Sequence, residues 1–441
     1  MNRPSVQPNA SPRQRTAWLN VAAKIAGAGI SFVLYIVLAR IMTPEAFADV
    51  AVILAWLAIA SALACFSAPL VLLRFVPDYL ATGRANLARG VVQFSIVATT
   101  AFAAALGGLA AAAVLSGAIG QPRDLSQSTL VGAALLLPSV LLANVLGLFV
   151  SLKRPATAEM LVNVLRSALM LAGLWVVWFV VRPPIPAPTV VAIYLAASVT
   201  TMLACLAYAV AILPREMALA RPAYAYREWT HSAAAFTVVL IMSAIHERID
   251  LLLMGMFASP PDVAAYAVAV RFSQTVAIAV SAVGSAIAPH VVERLHDLRA
   301  SRREELQLLV RKNARTAFYV TLLALAGFTA LGQLFLKLFG PHYEQAYVPL
   351  VLLAIGQAIG ALAGPAVAFA TLAGEPRVAV VALAIGAIVN AALNILLVPV
   401  LAANGAALAT AIGLIVSSLI AWRWVGRRLL LDTSVVRVKA R

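Results

Sequence analysis

The chain is poor in charged residues, and in acidic residues above all. Of its 441 residues only 11% are charged, and 33 Lys and Arg stand against 17 Asp and Glu. Soluble domains carry about 25% charged residues, so this composition excludes a soluble globular protein. Because 63% of the residues are hydrophobic and the mean hydropathy is +0.95, we expect a polytopic membrane protein.

Cysteines and nucleotide-binding motifs are also scarce. Cys65 and Cys205 both lie inside apolar runs, which is typical of small core residues and not of a disulfide or a metal pair. No GxxxxGK[ST] loop occurs, so the sequence predicts no ATPase of its own. We expect no catalytic centre, metal site or bound cofactor. The net charge of +16 is explained by cationic loops of a membrane protein, and no nucleic-acid partner is expected.

Long apolar runs dominate what is present. A bilayer core of roughly 30 Å needs about 20 apolar residues in a helix. The sequence contains twelve such runs, at residues 17–38, 48–72, 91–116, 129–151, 160–181, 189–213, 231–256, 263–289, 314–338, 345–372, 377–399 and 404–425. The prediction is an all-α polytopic membrane protein with about 12 transmembrane helices.

The positive charges are concentrated in alternate connections between these runs. The two ends of the chain and the even-numbered connections carry 25 Lys and Arg. The odd-numbered connections carry only four, which are Arg40, Arg123, Arg182 and Lys337. Because cytoplasmic loops of membrane proteins collect Lys and Arg, this bias predicts that both termini are cytoplasmic.

The twelve runs divide into two sets of six. The predicted organisation is an N-terminal six-helix lobe at 1–213, a cytoplasmic linker at 214–230, a C-terminal six-helix lobe at 231–425 and a basic cytoplasmic tail at 426–441. Internal matches support a repeat, because "TPEAFADVAV" (43–52) pairs with "PPDVAAYAVA" (260–269) and "LKRP" (152–155) pairs with "AGEP" (373–376). The paired turns fall on matching membrane faces, which predicts a parallel repeat about a pseudo-two-fold axis along the membrane normal.

Four stretches, in order along the chain, carry a family resemblance. They are "LARIMTPEAFADVAV" (38–52), "ERIDLLLMGMFASPPDVAAYAVAVRF" (247–272), "LFGPHYEQAYVPLVLLA" (338–354) and "NAALNILLVPVLAANGAALATAI" (390–412). With them the chain resembles the multidrug/oligosaccharidyl-lipid/polysaccharide exporter superfamily, and within it the polysaccharide-transporter branch of O-antigen-type lipid flippases. One departure is Ala48 and Asp49 after Phe47, where the family commonly has Gly.

The resemblance implies two six-helix lobes that form a V around a central cavity, which opens alternately to either side of the membrane. It implies a flippase, not an enzyme, in a bacterial inner membrane. The implied substrate is a polyprenyl-diphosphate-linked oligosaccharide, such as a capsule, exopolysaccharide or O-antigen repeat unit, moved from the cytoplasmic to the periplasmic leaflet. Membrane lipids and components of glycan polymerisation or export are the implied partners.

Ionisable residues inside the apolar runs are the candidate functional residues, because such residues face a bundle interior or a wet cavity. Four cations are candidates for binding an anionic headgroup, since guanidinium groups bind phosphate oxygens bidentately. They are Lys24, Arg166, Arg248 and Arg271. Glu247 and Asp250, beside the titratable His246, are candidates for coupling to an H⁺ or Na⁺ gradient.

Polar residues at helical spacing predict the lining of the same cavity. These are Asn20, Ser31, Gln274, Asn390 and Asn394. Structural alternatives stay open for several of the candidates. Lys24 could snorkel to the headgroups, Glu247 could pair with Arg271, His246 could be a hydrogen-bonded structural residue, and the two asparagines could join helices by hydrogen bonds.

Three other functions are compatible with the sequence. A cation-coupled drug or metabolite antiporter of the same superfamily would use membrane-embedded carboxylates, yet the first apolar run has Lys24 and no Asp or Glu. A glycan polymerase or ligase is disfavoured because the outward connections are all short. A flippase for the peptidoglycan precursor is disfavoured because such proteins usually have fourteen helices.

Overall fold

The computed structural model describes residues 12–117, 123–295, 300–373, 375–429 and 431–435, with the side chains of 12–21, 123–125, 281–304 and a few single positions outside that description. All regular secondary structure in the described residues is helical. The first half contains α1 (Pro12–Ile41), α2 (Pro44–Ala64), α3 (Ala68–Ala81), α4 (Ala85–Leu115), α5 (Arg123–Ser151), α6 (Pro155–Glu159), a π-helical turn (Met160–Leu165), α7 (Arg166–Val181) and α8 (Ala187–Ile212).

The second half follows a short linker helix. The helices are α9 (Arg215–Leu219), α10 (Tyr226–Phe257), α11 (Pro260–Leu295), α12 (Ala300–Lys337), a 3₁₀ turn (Pro341–Ala346), α13 (Tyr347–Leu362), α14 (Ala366–Leu372) and α15 (Pro376–Leu429). Ten helical segments among the described residues are long and apolar enough to cross a membrane. The chain is therefore a multi-pass membrane protein.

The longest of these segments, Arg377–Arg428, is two passes and not one. Ala402 has φ 47° and ψ −127°, which interrupts the helix. On either side of Ala402 the chain lies back on itself, because Gly405 packs against the backbone of Leu397 and Gly413 against Asn390. The absence of a side chain on both glycines permits this close approach. The two predicted runs at 377–399 and 404–425 are thus an antiparallel hairpin.

α10 completes the set of twelve predicted runs. It is 32 residues long, which is more than enough to span a bilayer. It is not among those ten segments, and its apolar part carries Glu247, Arg248 and Asp250. With the α15 hairpin counted as two passes and α10 as one, the twelve predicted runs all correspond to helices.

Prolines begin the helices that the sequence repeat pairs. Pro44 and Pro260 are the first residues of α2 and α11, and Pro155 and Pro376 are the first residues of α6 and α15. Proline suits this position because the missing N–H would have no partner inside the helix and φ is already helical. The matched prolines therefore start equivalent helices in the two halves, as the sequence repeat predicted.

Two of the predicted runs are broken, which the sequence analysis did not predict. The run at 48–72 ends its first helix at Ala64, and Phe66 and Ser67 have left-handed φ values of 43° and 50° before α3 begins. The run at 345–372 breaks at Gly364, with φ 72°. Hydropathy alone cannot show such breaks, because it does not depend on backbone conformation.

The two halves pack together at the ends of the helices farthest from the chain termini. One buried cluster there includes Phe47 and Leu38 of the first half with Tyr266, Phe339 and Tyr343 of the second half. Separate clusters occupy the other side, one in the first half around Phe75 and one in the second half around Phe369. The contact between the lobes is therefore closed on the side opposite the termini.

The linker is bound to the first half. Arg89 donates from Nη1 to the carbonyl oxygens of Ala218 and Ala220, and the amide of Ala223 donates to the carbonyl oxygen of Asn86. The first turns of α10 belong to the same packing unit, because the buried Trp229 is part of the first-half cluster. By packing, α10 therefore begins against the N-terminal lobe and continues into the C-terminal lobe.

Candidate functional site

A cavity with about 290 Å³ of unfilled space, its open mouth included, lies between the two lobes. Four helices contribute to it: α1 and α2 from the first half, and α10 and α11 from the second. Its lining residues are Tyr35, Ala51, Leu54, Ala55, Arg248, Leu251, Ala267, Val270, Arg271 and Gln274. Because α1 and α2 are the repeat equivalents of α10 and α11, the cavity lies at the interface that the pseudo-symmetry relates.

Arg271 is the best-fixed cation of this cavity. Its Nη2 donates to Ser31 Oγ at 2.5 Å, and its guanidinium carbon lies 4.5 Å from the centre of the Tyr35 ring. Both contacts reach from α11 to α1, so they join the two lobes. The Nε of Arg271 is buried and has no hydrogen-bond partner in the described part of the chain. A buried donor without an acceptor is costly, so this atom is suited to an additional acceptor.

Arg248 and Arg166 complete a group of three arginines. Arg248 lines the cavity and repels Arg271 electrostatically. Arg166 lies 5.5 Å from the centre of the Tyr194 ring, and Tyr194 also interacts electrostatically with Arg271. None of the three arginines forms an ion pair with any residue that the structure describes. Arg248 and Arg271 thus place two cationic side chains at the cavity, whereas Arg166 is not among its lining residues.

The sequence analysis did not select Tyr194. A tyrosine in an apolar run carries no signal by itself, and only the folding of α7 against α8 places it under Arg166. The π-helical turn at Met160–Leu165 directly precedes Arg166. Such turns shift the register of the following side chains and are frequent at functional sites.

The remaining cavity candidates differ in position. Gln274 lines the cavity and Ser31 accepts from Arg271, as described above. Lys24 is partly buried on the α1 face that also carries Ser31, and has no partner within the described ranges. Seven residues separate them, which is about 10 Å along the helix. The backbone of Asn20 lies in α1, but its side chain is outside the described residues.

Asp250 lies in a second site, inside the C-terminal lobe. Its side chain is 2% exposed. It accepts from Tyr266 Oη at 2.5 Å, from the amide of Leu251 at 2.8 Å and from Thr410 Oγ1 at 3.2 Å. A buried carboxylate needs such donors because burial without them is strongly unfavourable. α10, α11 and the second half of the α15 hairpin thus converge on one carboxylate.

Two asparagines extend this buried network. Asn390 Oδ1 accepts from Asn394 Nδ2 at 2.6 Å and lies 3.3 Å from Thr410 Oγ1, whose single hydrogen can go to either Asp250 or Asn390. Asn390 Nδ2 and Asn394 Oδ1 are buried without a partner in the described part of the chain. We refer to Asp250, Tyr266, Asn390, Asn394 and Thr410 as the carboxylate site. Its oxygen-rich composition is of the kind that holds a hard cation or a proton.

The geometry corrects several sequence-based predictions. Asn390 and Asn394 are 1% and 0% exposed and lie within the C-terminal lobe, so they do not line the cavity. Glu247 is exposed and does not pair with Arg271, which binds Ser31 instead. Helical spacing orders side chains around their own helix, but it does not say which neighbour each face meets.

His246 is the last of the predicted candidates. Its ring packs against Gly386 of α15, and its Nδ1 is buried without a hydrogen-bond partner among the described residues.

No group of three or more His, Cys, Asp and Glu in the described residues could hold a metal ion. The carboxylate site therefore relies on one carboxylate together with neutral oxygens.

The two-lobed helical fold is that of known membrane transporters. A MATE family multidrug resistance transporter of the MOP superfamily, inward-facing, superposes with a TM-score of 0.74 at 14% identity, covering 94% of this chain and 98% of that chain. The lipid II flippase MurJ, inward closed, gives 0.68 at 15% identity, covering 93% and 87%. A point mutant of the Vibrio cholerae MATE transporter VcmN gives 0.61 at 14% identity, covering 94% and 96%. These likenesses show the fold.

The family follows from the sequence match. The model of the polysaccharide biosynthesis protein family matches residues 14–294, well over half of the chain. The chain therefore belongs to the polysaccharide biosynthesis protein family, and the resemblance stated from its motifs is confirmed. No curated protein sequence matches the chain significantly.

Proposed function

We propose that the protein is a flippase for a polyprenyl-diphosphate-linked oligosaccharide. One observation carries the proposal: Arg248 and Arg271 line a cavity between the two lobes, and neither forms an ion pair with a described residue. Cations at membrane depth are costly unless they serve a partner or a substrate. A diphosphate supplies the negative charge and the paired oxygens that guanidinium groups bind bidentately.

The family and the fold support this choice of substrate. Members of a polysaccharide biosynthesis family handle glycans, and one solved structure with the same fold is named a lipid II flippase. In our proposal the diphosphate and first sugars enter the cavity while the polyprenyl chain stays in the bilayer. The bias of 25 to four Lys and Arg between alternate connections favours cytoplasmic termini. The substrate would then enter from the cytoplasmic leaflet of a bacterial inner membrane and leave towards the periplasm.

The same group of arginines disfavours the antiporter alternative. Positive charges at the cavity repel a cationic drug, whereas they attract an anionic headgroup. None of the described residues that line the cavity is acidic.

The test is the distribution of lipid-linked oligosaccharide between the two leaflets in a deletion strain. We expect accumulation in the cytoplasmic leaflet, restored by the wild-type gene but not by Arg248→Ala or Arg271→Ala at matched expression. Arg84→Ala is the matched control, because Arg84 is an exposed arginine whose bonds to Asp78 and Thr82 lie within one lobe. Normal leaflet distribution with altered sensitivity to cationic drugs would establish the antiporter instead.

The carboxylate site supplies the coupling step in this proposal. Binding of Na⁺ or H⁺ at Asp250 neutralises the buried charge and changes how α10, α11 and α15 are held together. The support is the convergence of Tyr266, Thr410 and Leu251 on that one carboxylate. Asp250→Asn mimics the neutral form, so glycan translocation in proteoliposomes should lose its response to an imposed gradient. Transport that continues unchanged in the wild type after both ion gradients and the membrane potential are collapsed would contradict this coupling.

A further inference from the structure

Two arginines cross between the lobes in opposite directions. Arg40, at the end of α1, donates from Nε to the carbonyl oxygen of Leu338 at 2.6 Å and from Nη2 to that of Lys337 at 3.0 Å. These carbonyls lie at the carboxyl end of α12, where the helix dipole favours a cation. Arg40 thus binds the C-terminal lobe from the N-terminal lobe.

Arg271 makes the reciprocal connection from the C-terminal lobe. It binds Ser31 and lies against the Tyr35 ring, and both partners are on α1. Ser31 and Arg40 are nine residues apart, so the two connections are about 13 Å apart along the same helix. One lies inside the membrane at the cavity, and the other lies at the exposed end of α1.

The partners of the two arginines differ in chemistry. Arg40 binds main-chain carbonyl oxygens of Lys337 and Leu338, and none of these three residues lines the cavity. Arg271 binds a neutral hydroxyl and an aromatic face, and it keeps a buried Nε without an acceptor in the described ranges. A phosphate oxygen is a stronger acceptor for a guanidinium than either of these partners. An anion that binds Arg271 bidentately through Nε and Nη2 would take Nη2 away from Ser31.

We propose that Arg40 and Arg271 are two latches that hold the side opposite the termini closed, and that the substrate's phosphate releases only the Arg271 latch. A latch here is a contact between the lobes that has to break before that side opens. The Arg40 contact favours the closed state whether or not the cavity is occupied. The Arg271 contact favours the closed state only while no anion is bound in the cavity. The second part rests on the proposed function, and the first part does not.

The test measures the distance across the closed side with two spin labels in the full-length protein in nanodiscs. Labels at Ser116→Cys in the first half and His342→Cys in the second occupy exposed positions. Cys65 and Cys205 are replaced by Ala to remove background labelling. The variants are Arg40→Gln and Ser31→Ala, both mild, with Arg84→Ala as the single-lobe control. The anion probe is inorganic pyrophosphate.

Without any anion, we expect Arg40→Gln and Ser31→Ala each to raise the ratio of long to short distances about tenfold or more, since Ser31→Ala removes one charge-assisted hydrogen bond and Arg40→Gln removes two. Arg84→Ala should leave the ratio unchanged. Distances in both variants that match those of the wild type would overturn the latches. Circular dichroism and monodisperse elution confirm folding before labelling.

Pyrophosphate should open the wild type and Arg40→Gln, but it should add less to Ser31→Ala, in which Arg271 keeps only its contact with the Tyr35 ring. Pyrophosphate could have no effect on the wild type while both substitutions still open the protein. In that case the two contacts do hold the closed state, and the proposed release of Arg271 by an anion is wrong. The diphosphate substrate is decided separately, by the leaflet assay of the deletion strain. The two failures are therefore distinguishable.

Discussion

The carboxylate site gives the sharpest quantitative prediction. Tyr266→Phe removes the hydroxyl that donates to Asp250 at 2.5 Å and also contacts Thr410 Oγ1 at 3.0 Å. Asp250 is 2% exposed and Tyr266 is 0% exposed, so water does not replace the lost donor. Hydrogen bonds to charged groups contribute about 1.5–3 kcal/mol. We expect the free energy of unfolding to fall by about that amount.

A double-mutant cycle separates this hydrogen bond from lost packing. Asp250→Asn in the wild type and in Tyr266→Phe should give a coupling energy of about 1–2 kcal/mol, because the two side chains are in contact. The assay is reversible unfolding in mixed micelles of rising SDS fraction. Tyr347→Phe is the matched control, since the Tyr347 hydroxyl donates to a neutral main-chain oxygen of Thr329 at 2.8 Å. This control should cost about 1 kcal/mol. Additive effects of Asp250→Asn and Tyr266→Phe would refute the reasoning.

Two further predictions concern glycines at close contacts. Gly90→Ala places a Cβ 1.8 Å from the carbonyl oxygen of Ala223, so the linker must move away from α4. We expect trypsin to cut the linker several-fold faster and the free energy of unfolding to fall by about 1–3 kcal/mol. Gly413→Ala places a Cβ 2.8 Å from the carbonyl oxygen of Gly386 and should lower thermal stability by a similar amount without faster linker cleavage. Gly108→Ala is the control, because its added Cβ meets nothing within 4 Å; it should change neither the cleavage rate nor the stability. An unchanged cleavage rate in Gly90→Ala would show that the linker is not held against α4 at this position.

The candidate site was predictable in its residue types but not in its arrangement. Charges inside apolar runs identified Arg166, Arg248, Arg271 and Asp250 without any structure. Their helical spacing could not separate the cavity from the buried carboxylate site, because both sites draw on α10. Positions two residues apart on α10 have different surroundings, so Arg248 lines the cavity while Asp250 is enclosed by α11 and α15.

Pairing was the part that failed. Glu247 was a reasonable partner for Arg271 by charge, yet Glu247 is exposed and Arg271 binds Ser31. Opposite charges in a sequence do not show how far apart the two side chains lie in the folded protein. Tyr194, Tyr266 and Thr410 were missed for a related reason: a hydroxyl in an apolar helix gains a role only from the group opposite it.

The sequence by itself determined the membrane class, the twelve helical runs, the parallel repeat and the bias of positive charge. Each of these is a sum over neighbouring residues or a comparison of segments, so each is readable before folding. Only the tertiary structure decided where runs break, which lobe encloses each charge and which residues join the lobes. Those properties depend on contacts between distant residues, such as Arg271 with Ser31, 240 positions away. A pattern of neighbouring residues cannot show a contact between positions so far apart in the sequence.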